Sequence, residues 1–141
     1  INGYGGKIEQ GETILQATIR EMKEESGVGI RPEDIEKAAV IDFYNFKENA
    51  WRRVRVYTSI ARKWSGTPCA GDGMGLPERF SHNALPFKQM LPGDQLWLLR
   101  ILAGELLEGE IWHTQDFTGF EKEPIINKIR PERLAKLWKL L

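Results

Sequence analysis

Residues 3–28 read GYGGKIEQGETILQATIREMKEESGV, and no other stretch restricts the fold of this chain as much. Thr13 followed by Gln16 fits a capping box, and Gly27 fits the left-handed residue that closes a helix, so residues 13–26 are predicted to be helical. At 3.6 residues per turn, Leu15, Ile19 and Met22 form an apolar stripe, with Gln16, Arg20 and Lys23 on the far side. Glu21, Glu24 and Glu25 fill the remaining sector at i,i+3 and i,i+4 spacing, where like charges repel. Something must compensate for them. One reading is a solvated face partly neutralised by Arg20 and Lys23. The other is a set of hard oxygen ligands for Mg²⁺, which could bridge to substrate phosphates. Gly5, Gly6 and Gly11 lie in a loop just before the helix, and such a backbone can approach a ligand closely and lend a carbonyl.

The rest of the composition sets outer bounds. The 141 residues predict one domain, residues 1–141, with a real core. Lys plus Arg and Asp plus Glu both number 20, so no basic excess points to a nucleic acid polymer. A polyanionic substrate would need local help, such as metal ions. One cysteine, Cys69, excludes an internal disulfide framework and predicts a reducing, cytoplasmic setting. No apolar run is long enough to span a bilayer, so no membrane partner is expected.

Along the chain, residues 1–11 read as a Gly-rich loop and residues 31–34 as a turn. Residues 39–46 and 54–61 are rich in β-branched and aromatic types and predict a hairpin turning near Glu48. Residues 66–77 form a Gly/Pro loop. Asp94 is a candidate N-cap for a second helix, residues 109–117 a strand, and residues 131–141 a last helix. Mixed strands and helices predict an α+β layered domain.

Gly6, Glu12 and then Arg20-Glu21-Met22-Lys23-Glu24-Glu25-Ser26-Gly27-Val28 fit a complete Nudix box. A chance match at average residue usage is on the order of 10⁻⁸ per position, so the chain is identified as resembling the Nudix hydrolases. The flanks "NGYGGK" and "LPFKQMLPGDQLWLL" resemble the subgroup of oxidised purine nucleoside triphosphate hydrolases, the 8-oxo-dGTP diphosphatases. The resemblance implies an α/β/α sandwich around a mixed sheet. It implies Mg²⁺- or Mn²⁺-dependent hydrolysis of a small nucleotide, as a monomer or homodimer, in nucleotide-pool sanitation. By this likeness the Gly5 carbonyl, Glu21, Glu24 and Glu25 ligate metal, and Glu24 or Glu25 orients or deprotonates the attacking water. Arg20 holds a box glutamate by an ion pair, and Glu12 does the same for Arg20. Asn2, Leu91, Asp94 and Trp97 are the substrate-binding positions.

Departures from the pattern matter as much. Gly93 stands where the subgroup has a second aspartate beside Asp94, and Leu91 replaces a stacking tryptophan. Gly73 occupies the position of a further acidic ligand, for which Asp72 or Glu78 could substitute. The family's first strands, which precede the box, are absent, so an edge of the sheet is expected to lack its partner, and the N-terminus is read as truncated. The alternatives are a Nudix hydrolase for a nucleotide sugar or dinucleoside polyphosphate, or a domain that binds nucleotide without turnover. His82 and His113 have no sequence partners that suggest zinc. Trp51, Trp64, Trp112 and Trp138 are expected to pack, as are Leu134, Leu137 and Leu141 of the tail.

Overall fold

The structure, a computed structural model, describes residues 1–139. In chain order it contains helix α1 (Ile14–Ser26), strands β1 (Ile35–Lys47) and β2 (Ala50–Ala61), helix α2 (Asp94–Leu102), strands β3 (Leu107–Trp112) and β4 (Ile125–Lys128), and helix α3 (Pro131–Leu137). Single 3₁₀ turns occur at Pro32–Asp34 and Phe87–Gln89. The fold is α+β around a mixed sheet of order β2-β1-β3-β4, with β1 and β3 parallel and β3 and β4 antiparallel.

Both ends of α1 follow from local chemistry. The Thr13 hydroxyl accepts from the Gln16 amide at 3.1 Å, and the Gln16 side chain accepts from the Thr13 amide at 2.8 Å. Gly27 then adopts φ 77° and returns its N–H to the Lys23 carbonyl. The stripe Leu15, Ile19 and Met22 is only half-buried, and the fully buried positions are Ile14, Ala17 and Ser26. The inward seam therefore sits one residue earlier than the apolar pattern indicates.

The hairpin turns through two residues, Glu48 (φ 54°) and Asn49 (φ 60°), the positive-φ pair of a type I′ turn. Holding non-glycine residues there costs roughly 1–2 kcal/mol each. The double substitution Glu48→Asn with Asn49→Gly is therefore expected to raise unfolding stability by about 1 kcal/mol, read from the urea midpoint at unchanged slope.

The chain clusters into two compact units. The first comprises Lys37–Ser59 and His82–Lys139 with Ile1, and the second Asn2–Glu36 and Ile60–Ser81. In the first unit the strand period of two sorts the sheet into faces. Ala39, Ile41 and Phe43 register with Leu107, Gly109 and Ile111, and of these Ala39, Ile41, Leu107 and Ile111 are fully buried. Val40, Asp42 and Tyr44 register with Glu108, Glu110 and Trp112 on the opposite, largely polar face. There Asp42 is buried and held by both arms of Arg55, at 2.8 and 2.9 Å. In the second unit Ile14, Ala17, Val28 and Ile30 form the buried cluster.

Several expectations need correction. The N-cap of α2 is Gly93, not Asp94, which is the first helical residue and gives its amide to the Leu91 carbonyl. Strand β3 runs from Leu107 to Trp112; beyond it His113 keeps an isolated bridge to Phe120, and the chain between them turns through Phe117 at φ 58°. The short β4 carries Pro124 before it and too few residues to show a period, so its sequence gave no strand signal. Of the last helix, Pro131–Leu137 is helical, Leu134 and Trp138 are buried, and Leu141 lies outside the described residues. Trp64 is 48% exposed and packs little, whereas Trp51 meets the rings of Phe46 and Trp112 edge-on.

Candidate functional site

The second unit gathers the acidic helix and its preceding loop around one guanidinium. Arg20 is not on the far side of α1. Its side chain is 23% exposed and turned in among the glutamates. Nε and Nη2 reach the two oxygens of Glu12 at 2.6 and 3.0 Å, the bidentate geometry that a planar fork suits. Nη1 donates to Glu21 at 2.8 Å and to Glu24 at 3.1 Å, and Nη2 also donates to the Lys7 carbonyl at 3.0 Å. The repulsion among Glu21, Glu24 and Glu25 is thus offset first by a cation built into the same helix.

Glu25 is set apart from this network. Its Oε2 accepts from the Gly5 amide at 2.8 Å, which ties the loop to the last turn of α1. Gly5 has φ 154°, and a Cβ on Gly6 would fall on the Glu21 carboxylate. These two glycines let the loop lie against the acids. Asp72 of the later loop is tied to the helix through its backbone. Its amide donates to the Glu24 carbonyl at 3.0 Å, and a Cβ on neighbouring Gly71 would stand 2.5 Å from the Glu24 and Glu25 carbonyls.

Among the described residues no group of three or more His, Cys, Asp or Glu is arranged as a metal cage. The residue types are nonetheless those a hard divalent cation takes: Glu21, Glu24 and Glu25 stand on one helix, with the Gly5 peptide against Glu25. Freeing Glu24 for such an ion breaks only its contact to Arg20, which keeps Glu12 and Glu21.

The network sets an acid limit. The Arg20 guanidinium, with help from the Glu9 amide, holds the Glu12 carboxyl down to about 2. A carboxyl whose folded pKa is depressed adds stability above its unfolded pKa and loses it as pH falls through the folded one. The wild-type protein is therefore expected to lose stability between about pH 4.5 and about pH 2 in a step that Glu12→Gln lacks. Acid titration followed by near-ultraviolet circular dichroism reads this.

Asn2 lies in the exposed loop of the same unit, with its Oδ1 accepting from the Gly3 amide at 2.9 Å. In the first unit Leu91 is 42% exposed, while Asp94 is buried at the start of α2. Burial pushes the Asp94 carboxyl up, and the Leu91 amide and nearby Trp97 indole pull part of the way back. Trp97 Nε1 itself makes no hydrogen bond of good geometry. His113 carried no signal in the sequence of where it sits. It is 1% exposed, boxed by Phe43, Phe117 and Phe120, with Nδ1 3.3 Å from Asn45 Oδ1 and Nε2 without a partner. Burial pushes this imidazole down, which keeps it neutral near pH 7.

The chain is similar to known proteins. Residues 3–103 match the family described as NUDIX domain. The chain is 38% identical over 96 residues to an oxidized purine nucleoside triphosphate hydrolase of Danio rerio, covering 68% of this chain and 58% of that protein. It is 32% identical over 101 residues to the protein of that name from Mus musculus, covering 72% of this chain and 62% of that protein. It is 36% identical over 69 residues to an 8-oxo-dGTP diphosphatase of Escherichia coli, covering 49% of each. The chain thus spans less than two thirds of these relatives' lengths. Among solved structures, a mutator MutT protein from Bacillus halodurans superposes with a TM-score of 0.74 at 24% identity, covering 88% of this chain and 80% of that one.

Proposed function

The chain belongs to the NUDIX domain family, and from that premise we propose that the protein hydrolyses purine nucleoside triphosphates, oxidised ones such as 8-oxo-dGTP included, to nucleoside monophosphate and pyrophosphate. The observation that carries the proposal is the Arg20-centred cluster of Glu12, Glu21 and Glu24, with Glu25 tied to Gly5 beside it.

Cleaving a phosphoric anhydride calls for neutralised phosphoryl oxygens and a positioned water. Bound Mg²⁺ supplies the neutralisation, and Gly5, Glu21, Glu24 and Glu25 are the residues that would hold it. Within the chain, Arg20 fixes where the Glu21 and Glu24 oxygens stand. Glu25, oriented by the Gly5 amide, is the carboxylate that orients the attacking water and takes its proton, with Glu24 as the second candidate. Leu91, Asp94 and Trp97 are the base-binding candidates of the first unit; Asn2, in the second, has an amide that can offer a donor and an acceptor to a purine edge. The names of the relatives from Danio rerio, Mus musculus and Escherichia coli favour this substrate class.

Gly93 and Leu91, where the subgroup has an aspartate and a tryptophan, favour a second reading in which another nucleoside diphosphate derivative is cleaved. Steady-state hydrolysis by the full-length protein decides between them. The panel is 8-oxo-dGTP, dGTP, a nucleotide sugar and a dinucleoside polyphosphate, with Mg²⁺ titrated and products identified. Pyrophosphate release that saturates with Mg²⁺ and is fastest on a purine triphosphate is the expected result. Nucleotide binding without product release would mark a non-catalytic domain instead.

A further inference from the structure

Helix α1 ends against a loop that lies far from it in sequence. The last four carbonyls of a helix have no partner within it. Here they belong to Lys23, Glu24, Glu25 and Ser26. Gly27 takes the first, with its amide 3.0 Å from the Lys23 oxygen. Residues 69–72 take two of the others. The Asp72 amide donates to the Glu24 carbonyl at 3.0 Å. The Cys69 amide and thiol donate to the Ser26 carbonyl at 2.9 and 3.3 Å. The loop is itself pinned by a short bridge, in which Gly71 and Met74 exchange backbone hydrogen bonds at 3.3 and 3.1 Å.

Gly71 lies directly on this last turn. A Cβ there would stand 2.5 Å from the Glu24 and Glu25 carbonyl oxygens and 2.6 Å from the Glu25 carbonyl carbon. All three atoms are backbone, so no side-chain rotation relieves the clash. Gly71 does not adopt a positive φ, so its missing side chain serves space rather than conformation. Gly75 of the same loop also lacks a positive φ, and a Cβ there would meet nothing within 4 Å. The steric demand is therefore particular to Gly71. The two residues it touches carry the proposed chemistry on their side chains. Arg20 donates to the Glu24 carboxylate at 3.1 Å, and the Gly5 amide donates to that of Glu25 at 2.8 Å. Those contacts hold the carboxylate ends, and residues 69–72 hold the backbone from which both project.

We propose that Gly71 is a positioning residue for Glu24 and Glu25, its lack of a side chain letting residues 69–72 close on the final turn of α1 and fix where the two carboxylates stand. This rests on the nucleotide-hydrolase reading and deepens it. Groups behind a set of ligands orient it, and losing one costs about 10- to 100-fold in metal affinity or activity. Such coupling is reciprocal. A loop that favours cation binding by holding the glutamates is itself held more tightly once the cation is bound.

The experiment uses the full-length protein and the variants Gly71→Ala and Gly75→Ala. Mn²⁺ affinity is read without nucleotide from the electron paramagnetic resonance of the free ion. The kcat and KM are measured on dGTP and 8-oxo-dGTP at saturating Mg²⁺. Gly71→Ala is expected to weaken Mn²⁺ binding by about 10-fold and to lower kcat by about 10- to 100-fold, with KM changed less than about 3-fold. Gly75→Ala is expected to stay within about 2-fold of wild type in all three, since its Cβ meets nothing. Wild-type Mn²⁺ affinity in Gly71→Ala overturns the proposal, even where the melting temperature falls, because the role is then structural only. Equal losses in Gly75→Ala overturn it too. The second readout is amide hydrogen exchange in the wild-type protein with and without Mg²⁺. Exchange at Asp72 is expected to slow by about 10-fold more than at Ser65, whose amide bonds the Gly29 carbonyl in the same unit and reports general stabilisation. Equal slowing at the two overturns the proposal even if Gly71→Ala does not fold. If the wild-type protein hydrolyses no nucleotide, it is the functional reading that fails, and Mn²⁺ affinity and exchange still decide the role of Gly71.

Discussion

Glu25→Gln is expected to lower kcat on a purine nucleoside triphosphate by about 10²- to 10⁴-fold, the range for loss of a positioned proton acceptor, while KM changes far less. The geometry makes this substitution unusually clean. The Glu25 Oε2 accepts one hydrogen bond, from the Gly5 amide, and the glutamine side-chain oxygen can accept the same bond. The loop stays tied to α1, so what is lost is the negative charge and the capacity to take a proton. Arg20→Ala would not be diagnostic in this way. Its guanidinium contacts Glu12, Glu21, Glu24 and the Lys7 carbonyl, and removing it would leave three acids without their common cation. A loss of activity there would mix structure with chemistry. Circular dichroism melts that coincide for wild type and Glu25→Gln, together with the fall in kcat, would support a role for Glu25 in the reacting step. Unchanged kcat would remove it from the mechanism.

The sequence carried the helix and its ends because those signals are local. Thr13, Gln16 and Gly27 lie within one helix length of each other, and each acts on backbone groups a few residues away. The hairpin was legible for the same reason. The placement of Arg20 was not, since side-chain direction depends on what the preceding loop supplies, and Glu12 and the Lys7 carbonyl supply it only once Gly5 and Gly6 let the loop come close. Asp94 looked like a cap because its residue type favours caps. Burial at the first helical position is a property of packing, which residue type does not disclose. The same holds for His113. Its partners Asn45 and Phe43 are about 70 residues away in sequence, brought within reach by the parallel pairing of β1 with β3.

Arg55→Met is expected to cost about 2 kcal/mol of unfolding free energy, and pairing it with Asp42→Val should recover most of that loss. Asp42 sits on the polar face of β1, its side chain 9% exposed, and both oxygens accept from Arg55. Taking away the guanidinium strands a desolvated carboxylate, and its registered neighbour on β3 is Glu110, a second acid. Breaking a buried pair from one side costs roughly 3–5 kcal/mol. A cost below that range, about 2 kcal/mol, is expected here because Arg55 is 36% exposed and Arg53 lies 4.0 Å from Asp42, close enough to take up part of the charge. Replacing both members with apolar side chains removes the desolvation penalty along with the attraction, which is often neutral or better. Urea unfolding of the two single variants and the double variant forms the cycle. Full recovery in the double variant would mean that the pair specifies the strand register more than it stabilises the sheet. A double variant weaker than Arg55→Met would mean instead that the Asp42 carboxylate makes a further favourable contact on that face.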